Sequence, residues 1–446
     1  MNSVLIAGGR VIDPASGLDE RADVLIEGGR VSSIGRDLTL APGAERVEAT
    51  GLIVCPGLID PHVHLREPGQ EHKETIETGT GAAAAGGFTS VCCMPNTTPA
   101  LDTPESIAAL RERARETGAC RVFPVGAVTV GREGERLAEI GLMAKHGAVA
   151  FSDDGDVVES PAVMLAGLRQ IARTGRVMMQ HCQEPSLTRG ASMHAGVTAM
   201  RLGLTGWPSV AEEIVIERDL RLAAEAGCRY HVQHLSAAGS VELIRAAREQ
   251  HGDLITAEAS PHHLLLTDEA CDGFNTMAKM NPPLRSAADV EAVARGVEEG
   301  VITVLGTDHA PHTAEEKALD FESAPFGIVG LETALALYAE ALVTSGRIGW
   351  ARLIELMTAN PARLCGLDRA GLGRLSVGGP GDVTVIDPEL EWTISARDLA
   401  GKGRNTPFLG RRVRGRAVRT IVGGRTAWSL EAGSGREGLA AGARSS

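Results

Sequence analysis

Two textures alternate along this chain. At both ends, apolar and polar residues alternate in short runs broken by glycines. The runs are VLIAGGRVID, ADVLIEGGRVSSIG and ERVEATGLIVCPG up to residue 57, then GRLSVGGPGDVTVIDP, EWTIS and RRVRGRAVRTIVGGRTAW after residue 370. A period of two with turn residues between the runs predicts strands, and the shared texture predicts one small β domain built by both ends. Between them, apolar β-branched runs alternate with amphipathic stretches such as TPESIAALRERARETG, AEEIVIERDLRLAAEAG and SVELIRAAREQHG, which predict helices.

Eight candidate strands lie in this middle region: 52–60, 89–94, 121–128, 147–152, 177–180, 230–233, 255–259 and 302–306. Strand and helix in strict alternation imply parallel strands with helical crossovers, and eight such units imply a (β/α)8 TIM-like barrel. A doubly wound open sheet is the alternative, because strand number alone does not close a barrel. The expected domains are therefore 1–55 and 366–428 for a small β-sandwich domain, 56–365 for the barrel, and 429–446 for a flexible tail.

Polar residues collect just beyond the predicted strands. His62 and His64 follow the first, Asn96 the second, Asp153 and Asp154 the fourth, His181 the fifth and His234 the sixth. His262 and His263 follow the seventh, and Asp308, His309 and His312 the eighth. A barrel brings successive strand C-termini to one mouth, so these residues become neighbours. In extended backbone, residues i and i+2 face the same side, so His62 and His64 can share a metal ion.

Imidazoles and carboxylates without thiolates suit zinc, with manganese, iron or cobalt as substitutes. Six ligands exceed one tetrahedral site. Of the one or two ions expected, two are favoured: His62, His64 and Asp308 on one ion and His181 and His234 on a second, with Asp154 between them. Such a centre activates water near neutral pH, and Asp308 is the expected general base and acid. His262 and His263 are expected to pack or to support neighbouring groups. His72, His146, His194, His231, His251 and His309 are expected in ordinary packing or surface roles.

Charge and cysteines narrow the partners. A net charge of -13 argues against a nucleic-acid or anionic-membrane surface, which needs clustered Lys and Arg. The eight cysteines show no CxxC spacing, so neither a disulfide framework nor a cysteine metal site is implied. With no basic segment leading into an apolar run and no long apolar stretch, a cytoplasmic protein is expected. The segment from Pro311 to Phe326 is polar and irregular, which predicts a mobile loop near the site.

In order, the motifs DPHVHLREPG, GGFTSVCCMPNTTP, AFSDDG, QHCQE, HVQHLS, SPHHLLLTD, KMNPPLR, GTDHAPH and PFGIVGLET make the chain resemble the cyclic amidohydrolases. It is most similar to class I bacterial dihydroorotases, over roughly residues 1–425. The resemblance implies reversible closure of N-carbamoyl-L-aspartate to L-dihydroorotate, a step of pyrimidine biosynthesis. It also implies His64, Arg66, Asn96, Asn281 and His312 as substrate-binding side chains, and Phe326 and Gly327 as backbone contacts to the ring. A homodimer and an aspartate carbamoyltransferase partner are expected on the same ground.

Hydantoinases and allantoinases, the nearest alternatives, and some dihydroorotases bridge their metals with a carbamylated lysine after the fourth strand. Here that position reads GAVAFSDDG, and Lys145 precedes Asp154 by nine residues. Asp154 is the expected bridge, with Asp153 as the alternative. An inactive scaffold homologue is the other alternative; it is disfavoured because all six ligand positions are filled.

Overall fold

The computed structural model describes residues 3–40 and 43–430. Its centre is a parallel eight-stranded sheet in sequential order: Leu58–Val63, Phe88–Cys93, Arg121–Gly126, Ala150–Phe151, Val177–Gln180, Arg229–Val232, Ile255–Ala259 and Val304–Leu305. The sheet curls on itself. A parallel bridge pairs Val63 with His309, just beyond the eighth strand, and the His64 amide donates to the His309 carbonyl at 2.9 Å. Asp60 reinforces this closure by accepting from the backbone amides of Thr307 and His62.

Side chains alternate across each barrel strand, as the pleat requires. Ile59, Cys92, Val125, Val177, Met179 and Val304 fill the interior, while Val91, Met178 and Tyr230 pack outward against the helices. The helices start where the sequence caps them. Thr103 accepts from the Ser106 amide ahead of Pro104–Thr117, and Ser286 from the Asp289 amide ahead of Ala287–Glu298, each in a reciprocal capping box.

A second, mainly antiparallel sheet joins both chain ends. Its order is Arg425–Ser429, Arg412–Val422, Val383–Thr393, Ile53–Pro56, Ser3–Asp13, Leu18–Glu27 and Arg30–Gly35, and Glu45–Glu48 pairs with Ser3–Asp13. Arg121 ties it to the barrel by forking onto Asp382 at 2.7 and 3.1 Å.

Two sequence expectations change. The run 52–60 is not one barrel strand: Ile53–Pro56 pairs with the end sheet, and only Leu58–Val63 enters the barrel. The break falls at Gly57, where a Cβ would lie 2.0 Å from Thr89 Oγ1. In the second sheet, DVTVIDP and EWTIS largely merge into one strand, with a register shift between Asp387 and Glu391. At the far end Ser429 still belongs to a strand, and residues 431–446 of the expected tail lie outside the described residues. All eight cysteines are buried free thiols, and no helix among the described residues is long and apolar enough to cross a membrane.

Candidate metal centre and substrate pocket

The barrel mouth brings together the residues that sequence spacing placed at strand ends. His62 Nε2 lies 3.3 Å from Asp154 and 3.4 Å from Asp308, and His64 Nε2 lies 2.9 Å from the same Asp308 oxygen. Across the mouth, His181 Nδ1 faces His234 Nε2 at 2.8 Å, with Asp154 3.9 Å from the first and 4.0 Å from the second. All six are buried. Asp154 is shared by two ligand groups, one with His62 and His64 and one with His181 and His234; a third unites His62, His234 and Asp308.

The hydrogen bonds around the imidazoles fit a metal. His62 Nδ1 is held by Glu258 at 2.6 Å, His64 Nδ1 by Asn96 Oδ1 at 2.8 Å and His181 Nε2 by Gln183 Oε1 at 2.9 Å. Each partner accepts a ring proton, so in the neutral imidazole the lone pair lies on the nitrogen turned into the cluster. His234 Nδ1 has no partner among the described residues, and its Nε2 also points inward.

Charge within the cluster is strongly coupled. Burial opposes charge on His62, yet Asp308, Glu258 and Asp154 hold it above the usual histidine range. Burial would raise Asp154, but His62, His64 and His181 take it well below the usual carboxylate range. Burial, with His181 and His62 nearby, drives His234 the other way and keeps it neutral. Three conformational outliers accompany this arrangement: Arg66, His234 and Asp308 sit at φ of 61°, 32° and 49°. Such backbone costs about 1–3 kcal/mol per residue and persists where surrounding contacts impose it.

Adjacent to the cluster is a cavity of ≈ 290 Å³ lined by the candidate ligands other than His62 and by the expected substrate binders. Arg66 is buried at its wall, and burial lowers its pKa. Its Nε donates to the Pro311 carbonyl at 3.2 Å, while Asp308, Asp154 and Glu316 attract it only from a distance. His312 Nε2 lies 2.8 Å from the Phe326 carbonyl and donates to it. Burial, then Arg66 and Lys73, push His312 down to about 2, so it stays neutral. Asn281 donates to Gln183 at 3.0 Å, and its own Oδ1 has no partner among the described residues.

Other residues singled out in the sequence lie outside the cluster. Asp153 turns away from the mouth and accepts from the Val128 and Thr129 amides and the Thr129 hydroxyl. His263 Nε2 bonds the Pro282 carbonyl, and His262 stacks edge-on against it. Lys145 is exposed in the helix Ile140–His146.

Sequence reasoning passed over Glu258 and Gln183, and it gave His231 only a packing role although its Nε2 also bonds Glu258, at 3.1 Å. The signals were present. A lone acid inside the strand ITAEA has no reason to be buried without a partner, and Gln183 follows His181 by two residues.

A family model described as Dihydro-orotase-like matches residues 51–240. A protein named dihydroorotase from Pelotomaculum thermopropionicum is 49% identical over 422 residues, covering 95% of this chain and 97% of that one. Another dihydroorotase, from Trichlorobacter lovleyi, is 47% identical over 427 residues, covering 96% and 99%. Among solved structures, an L-hydantoinase (dihydropyrimidinase) from Arthrobacter aurescens matches with a TM-score of 0.85 at 28% identity, over 96% of each chain.

Proposed function

This chain belongs to the dihydroorotase family, and from that membership and the mouth geometry we propose how its residues interconvert N-carbamoyl-L-aspartate and L-dihydroorotate. The observation that carries the reading is Arg66: a buried guanidinium with no carboxylate of the described residues in direct contact, on the wall of a cavity whose floor is the imidazole and carboxylate cluster. A planar fork of that kind matches the substrate carboxylate, which a hydantoin ring lacks.

His62, His64, Asp154, His181, His234 and Asp308 would hold zinc, two ions with Asp154 between them. When bound, the metal supplies Lewis acidity that polarises the ring carbonyl and eases ionisation of water. Arg66 binds the carboxylate, and Asn281 Oδ1 accepts from the ring. Asn96, held between His64 and Asp154, and neutral His312 complete the polar wall, with Phe326 and Gly327 offering backbone groups. In the hydrolytic direction Asp308 takes the proton of the attacking water and returns it to the departing ring nitrogen. Ring closure runs the same path from protonated Asp308, so low pH favours closure.

The same reading divides the chain into a barrel of 56–365 and an end domain of 1–55 with 366–428. It places the protein in the cytoplasm as a homodimer, with an aspartate carbamoyltransferase as a further partner. Light scattering with and without that enzyme tests the assembly.

The activity test uses the purified, metal-analysed protein with L-dihydroorotate, beside Asp308→Asn. Hydrolysis that requires bound metal and disappears in the variant is expected. Full metal sites without turnover would point to hydantoin and allantoin as substrates. Empty sites without turnover would point to a scaffold.

A further inference from the structure

The segment 311–326, expected as a mobile loop, is anchored from beneath by two buried lysines. Lys279, 2% exposed, aims its Nζ at the carbonyls of Phe321 at 2.6 Å, Glu322 at 2.9 Å and Ala324 at 2.7 Å. Lys317, also 2% exposed, donates to the carbonyls of Pro325 at 2.9 Å and Gly327 at 3.2 Å. The Gly327 amide in turn donates to the Lys279 carbonyl at 3.0 Å, and Lys279 Nζ lies 4.4 Å from the centre of the Phe326 ring. Acids attract these ammonium groups only from beyond contact: Asp320 and Glu322 for Lys279, Glu316 for Lys317. Glu316 itself pairs with Lys73 at 2.9 Å.

Burying two like charges side by side is costly, and such charge persists only where hydrogen bonds compensate it. Here the compensation comes mainly from the carbonyls of one segment, 321–327, with the Lys279 carbonyl also 3.5 Å from Lys317 Nζ. Turning those carbonyls inward sets the opposite side of the segment, Pro325 to Gly327, as a wall of the cavity. The wall has no slack: Gly327 sits at φ 147°, and a Cβ there would lie 2.7 Å from the Ala310 carbonyl and 2.8 Å from His312.

We propose that Lys279 and Lys317 are positioning residues, a paired staple that shapes residues 321–327 into a preformed wall for the substrate ring and so sets substrate affinity rather than chemistry. This inference rests on the reading of the cavity as the dihydroorotate site. Neither ammonium faces the cavity, so neither touches substrate. A preformed wall saves the ordering cost that a loose loop would incur on binding.

Two measurements test it. In ligand-free wild-type protein, hydrogen exchange should show the amides of Ala324 and Gly327, which donate to the Asp320 and Lys279 carbonyls, protected. Fast exchange there, suppressed only when dihydroorotate is added, would overturn the staple. Lys279→Met and Lys317→Met should each raise KM by about tenfold or more with kcat and metal content nearly unchanged, the pattern of lost uniform binding. A fall in kcat at constant KM would also overturn it. Should either variant fail to fold, Thr276→Val replaces it, since the Thr276 hydroxyl donates to the Lys317 carbonyl; a smaller KM rise is expected. A metal-loaded wild type that leaves dihydroorotate untouched would defeat the functional reading, and the exchange pattern alone would then decide the staple.

Discussion

Glu258 Oε1 lies 2.6 Å from His62 Nδ1, and both residues are fully buried. Burial opposes the Glu258 charge, but His62 and His231 pull its carboxyl down to about 2, so it faces His62 as an anion. A carboxylate behind a metal-binding imidazole fixes the ring and makes its other nitrogen a better donor. Glu258→Gln keeps the shape and removes the charge. Metal affinity measured by chelator competition should fall by about 10–100-fold; an unchanged affinity would remove Glu258 from the metal centre.

Asp153 and Asp154 are consecutive acids with opposite duties. Asp153 ties the fourth-strand turn to Val128 and Thr129, whereas Asp154 faces His62, His64 and His181. Asp153→Asn should lower stability by about 1–3 kcal/mol, because the amide leaves buried donors poorly matched, while metal stoichiometry holds. Asp154→Asn should do the reverse, losing metal with the fold intact. Thermal melts with metal analysis of both variants decide the pair; metal loss from Asp153→Asn alone would reverse the assignment.

Arg66→Lys keeps a positive charge but cannot fork onto a carboxylate. Losing one charge-assisted hydrogen bond costs about 1.5–3 kcal/mol, which predicts a kcat/KM for dihydroorotate reduced by about 10–100-fold. An ester of the substrate carboxylate should lose most of the discrimination between wild type and variant. Equal loss on acid and ester would mean that Arg66 acts on something other than that carboxylate.

Lys317 makes the protein's stability depend on pH in a defined direction. Burial and then Lys279 push its ammonium down to about 7, with Cys271 and Glu316 acting the other way. An unfolded lysine titrates near ~10.4. Below pH 7 both states are charged and the folded state bears the full cost. Between the two values the unfolded chain holds the extra proton, so stability rises with pH by up to about 1.4 kcal/mol per unit. The melting temperature of wild type relative to Lys317→Met should therefore climb from pH 7 to 9.5. A constant difference would show that Lys317 is not titrating in that window.

Much of the architecture was legible locally. The strands Val177–Gln180 and Ile255–Ala259 fall where short, largely apolar runs separate the helical stretches. The spacing of His62 and His64 already put two imidazoles on one side of a strand. The 52–60 run misled because an unbroken apolar stretch does not reveal which of two sheets each half joins. Only the close approach of Gly57 to Thr89 marks the change. Likewise the polar pattern of 311–326 does not reveal its anchors: Lys279 is distant in sequence, and Lys317 turns inward from a short polar helix within the run itself.

By itself the sequence determined the element types, the barrel order and the set of residues able to meet at its mouth. These follow from periodicity and from strand ends converging in any closed parallel barrel. Tertiary structure decided which of Asp153 and Asp154 turns inward, which nitrogen of each histidine is left free, and which cations hold the 321–327 wall. Such choices depend on partners tens to hundreds of residues away, such as Glu258 for His62. Burial then turns each hydrogen bond into a requirement, because an unpaired polar group has no water to fall back on.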